Sequence, residues 1–274
     1  SGLPDGRRLT RREQGTRAMS LSTPKAALVT GAARRVGRAI AEDLAANGHA
    51  VAIHCNSSAD EAEAVAAGIR ARGGIAAVVC ADLADHGAIA GLVPAAARAL
   101  GRPLDLLVNN ASHFAEDELD TLDHVVWDRH MALHLEAPVF LTQAFAAALP
   151  ATVAEGNVVN IIDQRVWRLT PKFFSYTLSK SALWTATRTM ALALAPRVRV
   201  NAIGPGPVLP SVHQPPGTFD AQVAAVPLQR GPEPGEIAAA IRFLVAQRSM
   251  TGQMLALDGG QHLAWQTPDA LLDA

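Results

Sequence analysis

The sequence has few of the residues that stabilise proteins through disulfides or metal ions. Its 274 residues include only two cysteines, Cys55 and Cys80, and a single tyrosine, Tyr176. Two isolated cysteines are too few for a disulfide framework or a cysteine-based metal site. We therefore expect two buried, reduced thiols and no metal ion.

An excess of charge of one sign and long apolar runs are also lacking. The 24 basic residues are balanced by 25 acidic residues. No apolar run reaches the ~18–20 residues of a transmembrane helix. We therefore expect neither nucleic acid nor a membrane as a partner, and we expect a cytoplasmic protein that acts on a small molecule.

The N-terminal segment differs in composition from the rest of the chain. Residues 1–20 contain five arginines and two acidic residues, and they lack the apolar core of a secretory signal. We expect residues 1–22 to form a disordered tail. No later change in composition marks a second domain, so residues 23–274 are predicted to form one domain.

About seven apolar runs of strand length alternate with helical patterns. These runs lie at 25–31, 50–55, 75–83, 104–111, 156–163, 197–207 and 254–260. Apolar strands that are each followed by a helix predict a parallel sheet with helices on both faces. With right-handed crossovers, the fold class is α/β, a doubly wound Rossmann-type sheet. A long irregular segment at about 205–233 is expected to be a loop over the substrate.

The turn after the first strand has the composition of a phosphate site. In "TGAARRVG", Gly31 and Gly37 bracket the start of a helix. A tight turn, a close backbone approach and a helix N-terminus are what a pyrophosphate requires. A glycine pair at such a turn is also compatible with a role in packing alone. The prediction of a phosphate site therefore depends on the position of the pair directly after the first strand.

The end of the second strand indicates which dinucleotide is bound. Enzymes that use NAD usually carry an acidic residue there, but this chain reads "HCNSS" at residues 54–58. Arg35 together with Asn56, Ser57 and Ser58 suits a ribose phosphate instead. The sequence therefore predicts NADP(H), although Arg34 and Arg35 are also compatible with being solvated side chains.

The sole tyrosine lies one helical turn before a lysine. In "YTLSK", Tyr176 and Lys180 share a helix face. A nearby cation favours the tyrosinate and makes the phenol a better acid–base group. By itself this pair is more typical of an ordinary helix surface.

Five motifs together resemble the short-chain dehydrogenase/reductase family over about residues 25–265. They are "TGAARRVG", "NNAS", "YTLSK", "APRVRVNAIGPG" and "LDGG". The resemblance implies that Tyr176 donates a proton to the substrate, while Lys180 holds the nicotinamide ribose and lowers the tyrosine pKa. It also implies a homotetramer. The cofactor contacts expected from the turn, the second strand and the resemblance are Gly31, Arg35, Val36, Gly37, Asn56, Ser57, Ser58, Asp82, Leu83, Asn110, Ala111, Ser112, Tyr176, Lys180, Pro205, Gly206 and Val208.

Asp163 departs from the common pattern of that family. Most members carry a serine thirteen residues before the tyrosine, whereas the pteridine reductase and dihydromonapterin reductase branch is similar to this chain in having an aspartate. Reduction of a C=N bond needs a proton at nitrogen, which an aspartate–tyrosine pair can relay. The expected substrate contacts are Arg35, Phe114, Asp163 and Tyr176. Asp163 is alternatively a strand-end cap or a partner of Arg165.

His134 is a second departure, because the resemblance places an asparagine of the proton relay there. We expect His134 to act with Asp163, Tyr176 and Lys180 in catalysis, by a relay that is altered or broken. The leading hypothesis is an NADPH-dependent reductase of a pterin-like or dihydrofolate-like C=N bond. The alternatives are a carbonyl or 3-oxoacyl reductase and a catalytically idle NADP-binding sensor or scaffold.

The cofactor prediction is tested by binding. We expect NADPH to bind more tightly than NADH, because cations and hydroxyls replace the acidic residue that holds an unphosphorylated ribose. Fluorescence titration of the chain with each cofactor measures both dissociation constants. Equal or tighter binding of NADH would contradict the prediction.

Overall fold

A computed structural model describes residues 25–211 and 215–264. Seven parallel strands form one sheet in the order β3-β2-β1-β4-β5-β6-β7, which confirms the predicted doubly wound fold. The strands are β1 (Ala26–Val29), β2 (Ala50–Cys55), β3 (Ala76–Cys80), β4 (Leu106–Asn109), β5 (Gly156–Ile161), β6 (Val198–Pro205) and β7 (Met254–Leu257). The predicted tail at 1–22 lies outside the described residues.

Helices connect the strands and cover both faces of the sheet. They are α1 (Arg35–Ala46), α2 (Ala59–Ala71), α3 (His86–Leu100), α4 (His124–Met131), α5 (Ala137–Ala148), α6 (Phe174–Leu194), α7 (Thr218–Ala225) and α8 (Pro234–Ala246). A π-helical turn, Ala132–Glu136, joins α4 to α5. Helix α7 lies inside the segment that was predicted to be irregular. No helix in the described ranges is both long and apolar enough to cross a membrane.

Alternating residues of the central strands build two cores. In β1 and β2, Val29 and Ile53 face the core beneath α1, α2 and α8, whereas Leu28 and Ala52 face the core beneath α3 and α5. All four side chains are fully buried. This two-sided burial explains why the strands read as continuous apolar runs.

The expected homotetramer and cytoplasmic location stay predictions.

Local signals set the ends of α3. The Asp85 carboxylate accepts hydrogen bonds from the backbone N–H groups of Gly87 and Ala88, which otherwise lack partners in a first helical turn. The helix ends at Gly101, whose φ of 65° is the left-handed conformation typical of a helix C-terminus.

A buried arginine joins β6 to the end of α8. The side chain of Arg199 is 7% exposed, and its Nε lies 2.8 Å from Glu155 Oε1. Its guanidinium also donates to main-chain carbonyls in the last turn of α8 and in the loop after it, those of Leu244, Val245, Gln247 and Met250. These carbonyls have no partner within the helix, so the arginine satisfies them and places a cation at the negative end of the helix dipole.

We expect Arg199→Leu to lower the free energy of unfolding by about 3–5 kcal/mol, because it removes the cation that pairs with Glu155 and the donor to four carbonyls, of which only that of Gln247 also accepts a backbone N–H. Urea unfolding measures the change. The control is Arg38→Leu, which removes an exposed pair with Glu42 and costs at most about 0.5 kcal/mol. Similar unfolding midpoints for the two variants would contradict the assignment.

Candidate active site

The turn between β1 and α1 is shaped by close backbone contacts. Gly31 has a φ of 63°, and a Cβ on it would lie 2.9 Å from the Cα of Ala111. A Cβ on Gly37 would lie 2.2 Å from the Gly31 carbonyl oxygen and 2.5 Å from Asn110 Nδ2. Only glycine fits at either position, so the backbone is left open at a helix N-terminus. This cradle fits a pyrophosphate.

Two buried side chains that sequence reasoning missed hold this turn. Thr30 Oγ1 accepts hydrogen bonds from the backbone N–H groups of Asn110 and Ala111, at 2.9 and 3.0 Å. His54 Nδ1 accepts from the Gly31 N–H at 3.1 Å, and its Nε2 lies 3.1 Å from the Ala81 carbonyl. Burial lowers the pKa of His54 to about 4, so it is neutral and donates from Nε2.

Arg35 adopts a backbone conformation that few residues other than glycine favour. Its φ is 52°, and its guanidinium donates to the carbonyls of Leu209 and Pro210, at 3.2 and 2.9 Å. Arg35 therefore bridges the first turn and the segment after β6. The neighbouring Arg34 forms an ion pair with Glu61 in the first turn of α2.

The other predicted ribose-phosphate residues lie where expected, at the end of β2. Asn56 and Ser57 are exposed, and Ser58 is half-buried before α2. In the described ranges, no hydrogen bond joins them to Arg35, because that guanidinium is directed to the segment after β6. The four residues predicted to bind the ribose phosphate therefore form two separate groups near the first turn, Arg35 on its own and Asn56 with Ser57 and Ser58.

The predicted adenine contacts lie beyond β3. Asp82 is exposed and accepts from the Ala84 N–H at 3.0 Å, which together with Arg129 lowers the pKa of its carboxyl. Arg129 Nη1 lies 3.1 Å from Asp82 Oδ1. Leu83 is buried beside it.

The remaining predicted cofactor contacts lie around the same edge. Val36 and Val208 are half-buried and pack against the core beneath α1. Pro205 ends β6, and a Cβ on the next residue, Gly206, would lie 2.8 Å from the Cα of Asp258. The residues expected to contact the adenosine end and those expected to contact the nicotinamide end therefore lie at the same carboxyl edge of the sheet.

The predicted catalytic residues come together between β5 and α6. Tyr176 Oη donates a hydrogen bond to Asp163 Oδ2 at 3.1 Å. Asp163 Oδ1 accepts from the backbone N–H of Arg165 at 2.8 Å. Lys180 Nζ donates to the Ile161 carbonyl at 2.8 Å. Asp163 therefore caps the short turn after β5 and also accepts a hydrogen bond from the tyrosine. Its part in a proton relay stays a prediction.

The site is largely closed to water, and this closure governs its protonation. Tyr176 is 6% exposed and Lys180 is 2% exposed. Burial, reinforced by the nearby Asp163 carboxylate, raises the pKa of Tyr176 well above its ordinary value. In this arrangement burial sets the direction of the tyrosine pKa, and the expected lowering by Lys180 stays a prediction. The Lys180 ammonium lies 5.7 Å from the ring centroid and donates to the Ile161 carbonyl.

The other two ionisable groups of the site are also shifted by burial. Burial raises the pKa of Asp163, and the charges of Arg165 and Lys180 offset part of that effect. Burial lowers the pKa of Lys180 to about 8, with Asp163 acting in the opposite direction. Shifts of this kind bring both groups closer to neutral pH, where proton transfer is most effective.

Aromatic rings form one wall beside the tyrosine. Phe114 and Phe173 stack with centroids 4.5 Å apart, and Phe114 meets the Tyr176 ring edge-on at 5.0 Å. The Arg165 guanidinium lies 4.4 Å from the centroid of Phe173. Phe173 has a φ of 56°, a strained conformation that is typical of functional sites. Trp167 packs against Trp184 instead, whereas Phe173 lies beside Phe114 in this wall.

His134 occupies a hydrogen-bonded position next to the tyrosine. Its Nε2 accepts from the His113 N–H at 3.1 Å and lies 3.0 Å from Ser112 Oγ. Its Nδ1 lies 2.9 Å from Ser179 Oγ, which itself donates to the Tyr176 carbonyl at 2.7 Å. Burial first, and the charge of Lys180 second, lower the pKa of His134 well below its ordinary value. His134 is therefore neutral, with its proton on Nδ1, and holds the helix turn that carries Tyr176.

His130 repeats this arrangement one helical turn earlier, and sequence reasoning missed it. Its Nδ1 lies 2.7 Å from Ser175 Oγ, and its Nε2 accepts from the Ala115 N–H at 3.4 Å. Ser175 in turn donates to Asp117. Burial lowers the pKa of His130 to about 4. We call His130, His134, Ser175 and Ser179 the histidine–serine clamp, because together they fix segment 112–117 against α6.

Comparison with known proteins agrees with this geometry. A family model described as enoyl-(acyl carrier protein) reductase matches residues 31–262. The crystal structure of FolM alternative dihydrofolate reductase 1 from Brucella suis in complex with NADP is 59% identical, with a TM-score of 0.86, and the match covers 89% of this chain and 98% of that chain.

Curated relatives are more distant. A short-chain dehydrogenase/reductase of Cladobotryum sp. is 34% identical, over 86% of this chain and 95% of its own length. A 3-oxoacyl acyl-carrier-protein reductase of Synechocystis sp. is 33% identical, over 88% of this chain and 98% of its own length.

We expect kcat/KM with a dihydropterin to fall on the alkaline side with a midpoint near pH 8. The Lys180 ammonium loses its proton as the pH rises through its pKa of about 8, and its charge beside Asp163 is then lost. A pH series of initial rates measures this limb, and Lys180→Arg, which stays charged, moves it to higher pH. An identical alkaline limb in Lys180→Arg would contradict the assignment.

Proposed function

Because the chain belongs to the short-chain dehydrogenase/reductase family, an oxidoreductase family, we propose that it is an NADPH-dependent reductase of a pterin-like or dihydrofolate-like C=N bond. The observation that carries this proposal is the partly buried hydrogen bond between Tyr176 and Asp163. A carboxylate at this position, where most family members carry a serine, provides a second proton-carrying group next to the tyrosine.

The cofactor site fits NADPH. The open backbone at Gly31 and Gly37 suits the pyrophosphate, and Arg35 with the hydroxyls after β2 suits the ribose phosphate. NADPH supplies the hydride when bound. The structure of the Brucella suis protein with NADP supports the same choice for this chain. Lys180, at the inner end of the site, is the cation expected to hold the nicotinamide ribose.

Tyr176 and Asp163 transfer the proton that the reduction of the C=N bond requires. Because the pKa of Tyr176 is raised, its hydroxyl is protonated at neutral pH and donates from Oη to a ring nitrogen. The raised pKa of Asp163 makes its protonated form more accessible, so Oδ2 can return a proton to the tyrosine along their 3.1 Å hydrogen bond. The nearby cations, Lys180 and Arg165, stabilise the negative charge that the transfer leaves behind.

The walls of the site suit a flat, nitrogen-rich ring. Phe114 is 39% exposed next to Tyr176 and offers an aromatic face. The Asp163 carboxylate accepts hydrogen bonds from amide or amino groups of such a ring. A ketone needs only one donor, which the tyrosine alone supplies, so the aspartate favours the heterocycle.

The second candidate is a carbonyl or 3-oxoacyl reductase. The 33% identity to the Synechocystis 3-oxoacyl reductase favours it, whereas Asp163 disfavours it. A catalytically idle NADP-binding sensor is the third, and the intact Tyr176–Lys180 pair disfavours that role.

We expect Asp163→Asn to lower kcat with a dihydropterin by about 10²-fold or more, because an amide cannot carry the proton. Asp163→Ser is the matched variant, and it is expected to retain or gain ketone reduction while losing pterin turnover. The measurement is NADPH oxidation with dihydrobiopterin, dihydromonapterin, dihydrofolate and a panel of ketones.

Three results separate the candidates. Turnover of pterins that survives in both Asp163 variants would refute the proton role of Asp163. Wild-type activity that is confined to ketones would favour the carbonyl reductase. Tight NADPH binding with no turnover of any compound would favour the sensor.

A further inference from the structure

The two cysteines of the chain lie side by side at the carboxyl edge of the sheet. Cys55 ends β2, Cys80 ends β3, and the two residues are direct partners in the parallel register. Their Sγ atoms are 3.2 Å apart. The expectation of two buried thiols is therefore wrong for Cys80, which is exposed, and correct for Cys55.

The backbone geometry at this pair suits a disulfide. Neighbouring strands lie about 4.8 Å apart, and disulfides join residues whose Cα atoms are about 4.4–6.8 Å apart. Because the two cysteines are register partners, their side chains point to the same face of the sheet. An S–S bond is about 2.05 Å long, so from 3.2 Å the sulfurs have to approach by little more than about one ångström.

The two thiols differ in access, and this difference gives each a role. A disulfide in solution can reach the exposed Cys80, whereas Cys55 is 2% exposed. Burial, with the adjacent Cys80 as the next cause, raises the pKa of the Cys55 thiol to about 12. Cys80 is therefore the sulfur that reacts first, and Cys55 reacts second and more slowly.

We propose that Cys55 and Cys80 form a redox-active dithiol that a low-molecular-weight disulfide oxidises reversibly. The Cys80 thiolate attacks one sulfur of oxidised glutathione, an S–S bond to Cys80 forms, and one glutathione thiolate leaves. The Cys55 thiolate then attacks the Cys80 sulfur, and the second glutathione leaves. Two protein thiols are oxidised, one glutathione disulfide is reduced, and the two glutathiones take up the two protons.

The position of the pair links its oxidation to cofactor binding. Cys55 directly precedes Asn56, and Cys80 lies two residues before Asp82. The disulfide therefore joins the two strand ends from which the adenosine half of the cofactor is held, and this part of the inference rests on the proposed function. We infer that the disulfide shifts the turn at residues 56–58 and weakens NADPH binding.

Intact-protein mass spectrometry tests the dithiol directly. The reduced full chain is incubated with oxidised glutathione and sampled over time. The expected result is a transient adduct of one glutathionyl group, followed by a species that has lost two hydrogen atoms, which dithiothreitol returns to the starting mass. A stable glutathionyl adduct, or an unchanged mass, would overturn the proposal.

Single-cysteine variants serve as controls. Cys55→Ala is expected to stop at the glutathionyl adduct, because no second thiol resolves it. Cys80→Ser is expected to remain unmodified under the same conditions, because the buried thiol is out of reach. Modification of Cys80→Ser at the wild-type rate would show that Cys55 is accessible and would contradict the assigned order.

Fluorescence titration with NADPH tests the coupling. The oxidised wild type is expected to show a several-fold higher dissociation constant than the reduced protein, whereas oxidant-treated Cys80→Ser is unchanged. An oxidised protein that binds NADPH as tightly as the reduced one would refute the coupling. Neither the mass spectrometry nor the NADPH titration needs a substrate. A failure of the proposed pterin reduction in the NADPH oxidation assays can therefore be distinguished from a failure of the dithiol proposal.

Discussion

The hydrogen bond from Tyr176 to Asp163 is the interaction on which the character of this site depends. It joins helix α6 to the end of β5, and it places a phenol against a carboxylate in a largely closed environment. A buried carboxylate is costly unless it is paired. Here the Arg165 backbone N–H, the tyrosine hydroxyl and the charge of Lys180 compensate Asp163. Burial, reinforced by this pairing, keeps the tyrosine protonated, as the proposed role of proton donor requires.

The rest of the site holds this pair in place. Helix α6 carries Tyr176, and the histidine–serine clamp fixes that helix against segment 112–117. Each imidazole of the clamp donates to a serine from Nδ1 and accepts a backbone N–H at Nε2, so both roles require the neutral form. Phe114 lies between the two backbone groups that the clamp holds, which explains how its ring is held edge-on to Tyr176. His134 therefore supports the helix turn that carries Tyr176, and its part in catalysis stays a prediction.

Sequence patterns predicted the strands, the first turn and the pairing of Asp163 with Tyr176, but not most of the other side-chain contacts between elements. Apolar runs and glycines depend on local conformation, so they predicted the seven strands and the turn at Gly31. The spacing of four residues predicted that Tyr176 and Lys180 share a helix face. The Arg35 side chain is directed by carbonyls about 175 residues later in the chain, and the residue type at position 35 does not reveal such a partner. Cys55 lies next to Cys80 because of the register between β2 and β3, which the sequence of either strand alone does not reveal. The spacing of four residues between His130 and His134, repeated by Ser175 and Ser179, was a signal that could have revealed the clamp.

A crystal structure with oxidised NADP and a dihydropterin tests the central claim most directly, because hydride transfer is blocked and the ring is held in place. We expect a ring nitrogen within hydrogen-bond distance of Tyr176 Oη, with the tyrosine still bound to Asp163 and the ring against Phe114. A ring bound away from Tyr176, with Asp163 contacting protein groups alone, would contradict it.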